Sequence, residues 1–178
     1  MSYAISNDWS DENRFEKWEN QTTSILRQIL EDKEHPKFKE VAKDLEVLDD
    51  KENLVDYYEE TLDGYEPIYN YVYPLETTPS DEDILKVALN TNCCVMYNTE
   101  DDKYYLSLTG CGMNLSQDIA LSYVLIENWI PEDLLFNVCS QEGLSISKEN
   151  FKILKEGVKK NIDKIGFQLE QLKKSWNL

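Results

Sequence analysis

Histidine is almost missing from this sequence. The single one, His35, stands beside Pro36 in a polar stretch, so no His-paired Ser or Cys nucleophile and no His-rich metal site is expected. Basic residues are scarce too: 18 Lys and Arg face 35 Asp and Glu, a net charge of -17. Most of such a surface repels nucleic acid and anionic membranes and attracts basic partners. Long apolar runs are lacking. The longest nearly apolar stretch, Ile119 to Ile126, is far shorter than the ~20 residues that cross a bilayer. The stretch Met1-Ser-Tyr-Ala-Ile-Ser-Asn-Asp has no basic segment leading into an apolar one, so no signal peptide is read there and a cytoplasmic address is expected. Cysteine is confined to positions 93, 94, 111 and 139 without a C-x2-C knuckle. Reduced thiols packed as small hydrophobes are expected, not disulfides or zinc ligands.

What is present is the composition of a folded chain: 178 residues, 41% hydrophobic and 11% aromatic, with 11 tyrosines and 4 tryptophans. That length suits a single domain over 1–178 with a real core. Its charge is uneven. Residues 1–66 hold 19 acids and 8 bases, residues 67–146 hold 12 and 2, and residues 147–178 hold 4 acids against 8 lysines. Abundant Lys, Asn, Ile and Tyr do not match halophile acidity and fit an AT-rich genome.

Periodicity divides the chain into a helical subunit (1–64), a sheet with buried helices (65–146) and a long basic helix (147–178). Ser10 can cap a helix over about 11–31, whose stripe is Phe15, Trp18, Ile25, Leu26 and Ile29. His35-Pro36 breaks it. A short helix over about 37–47 presents Phe38, Val41, Ala42 and Leu45, and Asp49-Asp50 restarts a helix to Leu62 with Gly64 as its C-terminal cap. Residues 66–73 alternate as a strand with Tyr69, Tyr71 and Tyr73 on one face. Ser80 caps a helix to about Leu89, its first turn loaded with Asp81, Glu82 and Asp83. Cys93–Asn98 and Lys103–Thr109 form a hairpin about the 99–102 turn, pairing position 93 with 108. Ser116 caps a helix to about Asn128. Pro131 opens a short helix, and Ser147 caps the last one, over about 148–176. The class is α+β, predominantly helical, with a small antiparallel sheet of about three strands.

The corner Thr109-Gly-Cys-Gly112 admits three readings: an anion cradle, a nucleophilic Cys111, or a sharp strand-to-helix turn made by small residues. The spacing is not that of a phosphate loop and no Lys follows, so the structural turn is preferred. The helix after it is apolar all round, which marks a buried helix, with Asp118 in its first turn. The segment Leu106-Ser-Leu-Thr-Gly-Cys-Gly-Met-Asn-Leu-Ser116 resembles an L-x-L-T-G-G-G-M-D-L-S segment of uncharacterised microbial and phage proteins, from which Cys111 and Asn114 depart. The resemblance spans about 20 of the 178 residues, implying a recurrent corner and no chemistry.

The pattern that points to function is acidic. Glu52, Asp56, Glu59, Glu60 and Asp63 lie on one ridge of the expected third helix, with successive rungs about 6 Å apart. That is of the order of the phosphate repeat along a nucleic-acid strand. Glu12, Glu16 and Glu19 form a shorter stripe on the first helix. Tyr57, Tyr65, Tyr69 and Tyr71 stand close by, and tyrosine beside carboxylate suits a surface that engages Arg and Lys. A solvated acidic face is the ordinary reading of such a ridge. The expectation drawn from the ridge and the net charge is a non-enzymatic acidic protein. Its partner is a basic protein surface that binds nucleic acid, blocked by mimicry as in anti-CRISPR or anti-restriction inhibitors, and a homodimer through the last helix is open. No cofactor, metal, membrane or direct nucleic-acid binding is expected. The alternative is a small intracellular enzyme or ligand-binding domain built on the Thr109–Ser116 corner.

Overall fold

The computed structural model describes residues 16–110, 115–141 and 147–161. Its centre is the expected hairpin, β3 (Cys93–Asn98) and β4 (Lys103–Thr109), registered from Cys93 opposite Leu108 to Asn98 opposite Lys103. Asn98 shapes the turn: its side-chain oxygen accepts the N–H groups of Glu100 at 2.9 Å and Asp101 at 3.3 Å. Asp102 then adopts a left-handed φ of 58°, which Asp tolerates better than most residues. Outside β4 runs β2 (Pro67–Pro74), and outside β3 runs a strand the periodicity concealed, β1 (Trp18–Asn20). The sheet is antiparallel with order β1-β3-β4-β2, so the α+β class holds with four strands among the described residues.

β1 corrects the expected first helix. Residues 18–20 pair with β3, and the helix α1 occupies only Gln21–Leu30. Its cap is Asn20, whose side chain accepts the Thr23 N–H at 3.1 Å; Ser10 lies outside the described residues. The edge of β3 explains the change. Its outward N–H groups need acceptors, and Thr99 finds one in the Lys17 carbonyl at 2.7 Å. Where β1 gives way to α1, the Thr22 hydroxyl accepts the Val95 N–H at 2.9 Å in place of a strand carbonyl. Trp18 is thereby turned into the sheet's concave face. Its ring meets Tyr105 at 5.0 Å and, from the opposite edge strand, Tyr69 at 5.9 Å, both edge-on. Three strand spacings amount to about 14 Å in a flat sheet, so the sheet curls around these rings.

The two faces bury different clusters. Cys93, Val95, Leu106 and Leu108 face the main core, built with α4 (Asp81–Asn90), α5 (Leu115–Leu125), α6 (Glu132–Gln141) and α7 (Lys148–Asn161). Cys94, Met96 and Tyr105 face the other way, with Trp18, Tyr69 and Val72. Every residue from Ile119 to Leu125 is buried, as the all-round apolar pattern requires. A third cluster joins α1, α2 (Phe38–Asp44) and α3 (Tyr58–Leu62) to Leu85 and Ala88 of α4, so the helical third is tied to the sheet's own helix. Ser80 caps α4 by accepting the Asp83 N–H at 3.1 Å. α5 begins one residue before Ser116 and stops at Leu125, short of Asn128, which has a φ of 72°. Phe151, Leu154 and Val158 bury the apolar stripe of α7; its expected continuation to Trp176 falls outside the described residues.

β2 departs from simple alternation. Pro67 lies opposite Thr109 but Val72 lies opposite Ser107, so extra residues bulge from β2 between them. The expected tyrosine face is divided by this bulge. Tyr69 joins Val72 in the concave cluster, Tyr73 packs with Ile68 against the main core, and Tyr71 is exposed.

Candidate partner-binding surface

The acidic ridge depends on a helix over 50–62, and that helix is not there. Asp49 prevents it: its side-chain oxygen accepts the N–H groups of both Lys51 and Asn53 at 2.9 Å. This is the Asx turn by which aspartate competes with helical hydrogen bonding. Leu48 and Leu54 bridge across the turn, the Asp49 N–H donates to the Asn53 carbonyl at 2.8 Å, and Glu52 has a left-handed φ of 62°. The helix starts only at Tyr58 and gives way to a 3-10 turn over Asp63–Tyr65 that contains Gly64.

The five ridge carboxylates therefore go separate ways. Glu52 leaves the row and meets Lys39 at 3.6 Å, both side chains far in solvent, a pairing of little energetic weight. Glu59 turns aside to Arg27 across the surface. The guanidinium donates two parallel bonds of 2.9 Å to its carboxylate, a bidentate geometry that fixes both partners, and those bonds hold the Glu59 carboxyl below its ordinary pKa. Tyr58 donates to Glu31 beside it at 3.2 Å. Asp56, Tyr57, Glu60 and Asp63 remain exposed. Among the described residues no lysine or arginine ion pair engages Asp56, Glu60 or Asp63.

The expected stripe on the first helix also dissolves. Glu12 is outside the described residues, Glu16 sits in a turn, and Glu19 is in β1. Of the expected tyrosines, Tyr57 is 52% and Tyr71 38% exposed, while Tyr69 is buried. Tyr65 is half-buried, its hydroxyl donating to the Ala88 carbonyl at 3.0 Å. The tyrosines do not form one surface with the ridge.

A different grouping lies at the hairpin end of the sheet. Glu19 is registered opposite Tyr97, and Tyr97 opposite Tyr104, so the three share a face. The rings are 4.9 Å apart and tilted by 48°. Tyr97 donates its hydroxyl proton to Asp102. That bond, then burial, raises the phenol to about 12, with Tyr104 and Glu19 adding smaller increments. Glu100 pairs with Lys17 at 3.2 Å. The hairpin register was available from sequence and carries Tyr97 opposite Tyr104. Glu19 was not, because its strand read as helix.

The corner alternative is represented by its flanks, since residues 111–114 lie outside the described set. A Cβ on Gly110 would meet only the Glu66 carbonyl at 3.9 Å, and its backbone is not left-handed, so the tightness expected of the corner does not require glycine there. Asp118 is 1% exposed, and one of its oxygens accepts the Asn92 N–H at 3.3 Å, tying α5 to the start of β3. Burial, and secondarily Asp118, push the Cys93 thiol up to about 12, and burial pushes Cys94 well above its ordinary value. Both behave as packed hydrophobes. His35 has a structural task, its Nδ1 accepting the Lys37 N–H at 3.1 Å. It also borders two clefts of about 290 and 320 Å³. Among the described residues no group of three His, Cys, Asp or Glu is placed to hold a metal ion, and no helix is long and apolar enough to cross a membrane.

On the basic helix, Lys155 lies 3.9 Å from Glu127 and 4.8 Å above the Phe151 ring. Its stem covers the α5–α7 seam, while Lys148, Lys152 and Lys159 remain exposed. No family model, curated protein or solved structure matches the chain.

Proposed function

We propose that this is an acidic docking protein that covers a basic, nucleic-acid-binding surface of a partner, the manner of action of anti-CRISPR and anti-restriction inhibitors. The observation that carries the reading is the surplus of exposed carboxylate. A net charge of -17 is accompanied by five ion pairs among the described residues. The acids of the 56–63 face and of the hairpin end are otherwise presented to solvent. Like charges held together on a folded surface oppose folding, and a cationic partner relieves that repulsion. The phosphate-like spacing of a continuous ridge is not part of the reading, because the Asp49 turn interrupts it. Local charge density, not helical periodicity, supports the docking.

The test is competitive. Proteins from a bacterial lysate that bind heparin are passed over the immobilised chain at about 50 mM and about 500 mM salt, and each retained protein is assayed for DNA binding with and without the chain. The expected result is retention of basic nucleic-acid-binding proteins, lost at the higher salt, with their DNA displaced. Retention of acidic or apolar proteins only, indifferent to salt, refutes the proposal.

A further inference from the structure

We propose that the hairpin end of the helix-covered sheet face is an arginine-docking surface, on which a guanidinium from a basic partner segment lies against Tyr97 and Tyr104 between carboxylates. This rests on the docking reading above and names the chemistry of its contact. The fully buried part of the main core ends on this face at Val95 and Leu106, with Tyr104 packed against its edge. The next row toward the loop is Glu19, Tyr97 and Tyr104, with both rings half-buried and Glu19 exposed. The hydroxyl bond from Tyr97 to Asp102 fixes that ring and holds an exposed carboxylate at its rim.

A cleft of about 250 Å³ adjoins Tyr104, lined by Asp102, Glu76, Thr77, Thr78 and Leu75 together with Lys103. Its polar walls are rich in acceptors, and the acids outnumber the base. Lys103, which starts opposite Asn98 in register, reaches the cleft wall but faces two acids there, Asp102 and Glu76. The second nearby cation, Lys17, is engaged by Glu100. What remains is aromatic surface bordered by negative charge, which a cation complements. Arginine suits it better than lysine. Its planar, weakly hydrated group stacks on aromatic rings and bonds carboxylates in pairs, whereas an ammonium does neither as well. The 56–63 face carries similar charge but no paired rings, so it lacks this preference.

Titration of the labelled full chain at low salt with hexa-arginine and with hexa-lysine, followed by NMR, tests the assignment. The ring signals of Tyr97 and Tyr104 are expected to shift with hexa-arginine, and hexa-lysine is expected to bind several-fold more weakly. The double variant Glu19→Gln/Asp102→Asn keeps the strand, and Asn tolerates the left-handed turn. It should weaken hexa-arginine about fivefold, the combined effect of two exposed charges. The control Asp56→Asn/Glu60→Gln/Asp63→Asn should leave the ring shifts in place. Equal affinity for the two peptides, or shifts confined to other surfaces, overturns the arginine surface and leaves acidic docking standing. Failure of both peptides to bind overturns both.

Discussion

Replacing Thr22 with valine changes almost no volume and removes one acceptor. Thr22 is 0% exposed, and its hydroxyl oxygen stands 2.9 Å from the Val95 nitrogen. Val95 is itself wholly buried in β3, at the point where β1 has become α1 and no strand carbonyl faces it. In the variant that N–H has neither a protein acceptor on this edge nor ready access to water. An orphaned buried donor costs about 1–3 kcal/mol, which for a domain of this size lowers the melting temperature by about 2–12 °C. Thr22→Ser is the comparison: it keeps the acceptor and loses one methyl, at about 1 kcal/mol. The two therefore overlap in stability but differ in where the loss appears. Native-state hydrogen exchange should show the Val95 amide losing protection in Thr22→Val relative to Cys94 and Met96, and keeping it in Thr22→Ser. A valine variant as stable as the parent, with Val95 still protected, would refute the substitution of a side-chain hydroxyl for a strand carbonyl and with it the β1-to-α1 junction.

Two further outcomes follow from the charge states. With its thiol pushed up to about 12, Cys93 is about one part in ten thousand thiolate at pH 8, and burial likewise holds Cys94 in the thiol form. Iodoacetamide labelling of the native chain, mapped by mass spectrometry, should reach both only at the rate of unfolding; rapid labelling at either contradicts the packing. Glu59 has a folded pKa below its unfolded value, held there chiefly by the Arg27 hydrogen bonds. Its contribution is therefore present above the unfolded pKa and lost as pH falls through the folded one. Urea unfolding should show Glu59→Gln less stable than the parent at pH 7, with the gap narrowing as pH falls below the unfolded carboxylate range; a gap that does not narrow in acid excludes the ion pair as its cause.

The parts of the fold legible in sequence are those determined by near neighbours. The β3–β4 hairpin follows from the turn chemistry of residues 98–102, and α4 follows from Ser80 and the acids behind it. The burial of α5 follows from the lack of a polar stripe. The parts that failed depend on distant partners or on one local competition. Trp18 fits a helical stripe with Phe15 and Ile25, and nothing within 15 residues says that it will pair with Asn98 and Glu19 with Tyr97. The bulge in β2 exists in relation to β4 and is invisible in the alternating tyrosines. Asp49 can open a helix or close an Asx turn, and the bridge between Leu48 and Leu54 favours the turn.

The same three-residue strand decides where the useful charge lies. As part of a helix, Glu19 would stand in a stripe with Glu12 and Glu16, facing solvent alone. As part of β1 it stands opposite Tyr97, one strand from Tyr104 and near the Asp102 carboxylate that holds the Tyr97 hydroxyl. Meanwhile Glu59, central to the expected ridge, is withdrawn by Arg27, a residue 32 positions earlier that α1 brings alongside α3. The number of carboxylates is a property of the sequence, and it supports an acidic docking protein however the chain folds. Their chemistry is a property of what they are placed against. A carboxylate bound to a guanidinium in its own chain is already engaged, whereas under the proposed docking one beside a pair of tyrosine rings and a cleft of acceptors receives a partner's. Among the described residues, charge and paired aromatic rings therefore coincide at the end of the sheet and not along the Glu52–Asp63 row.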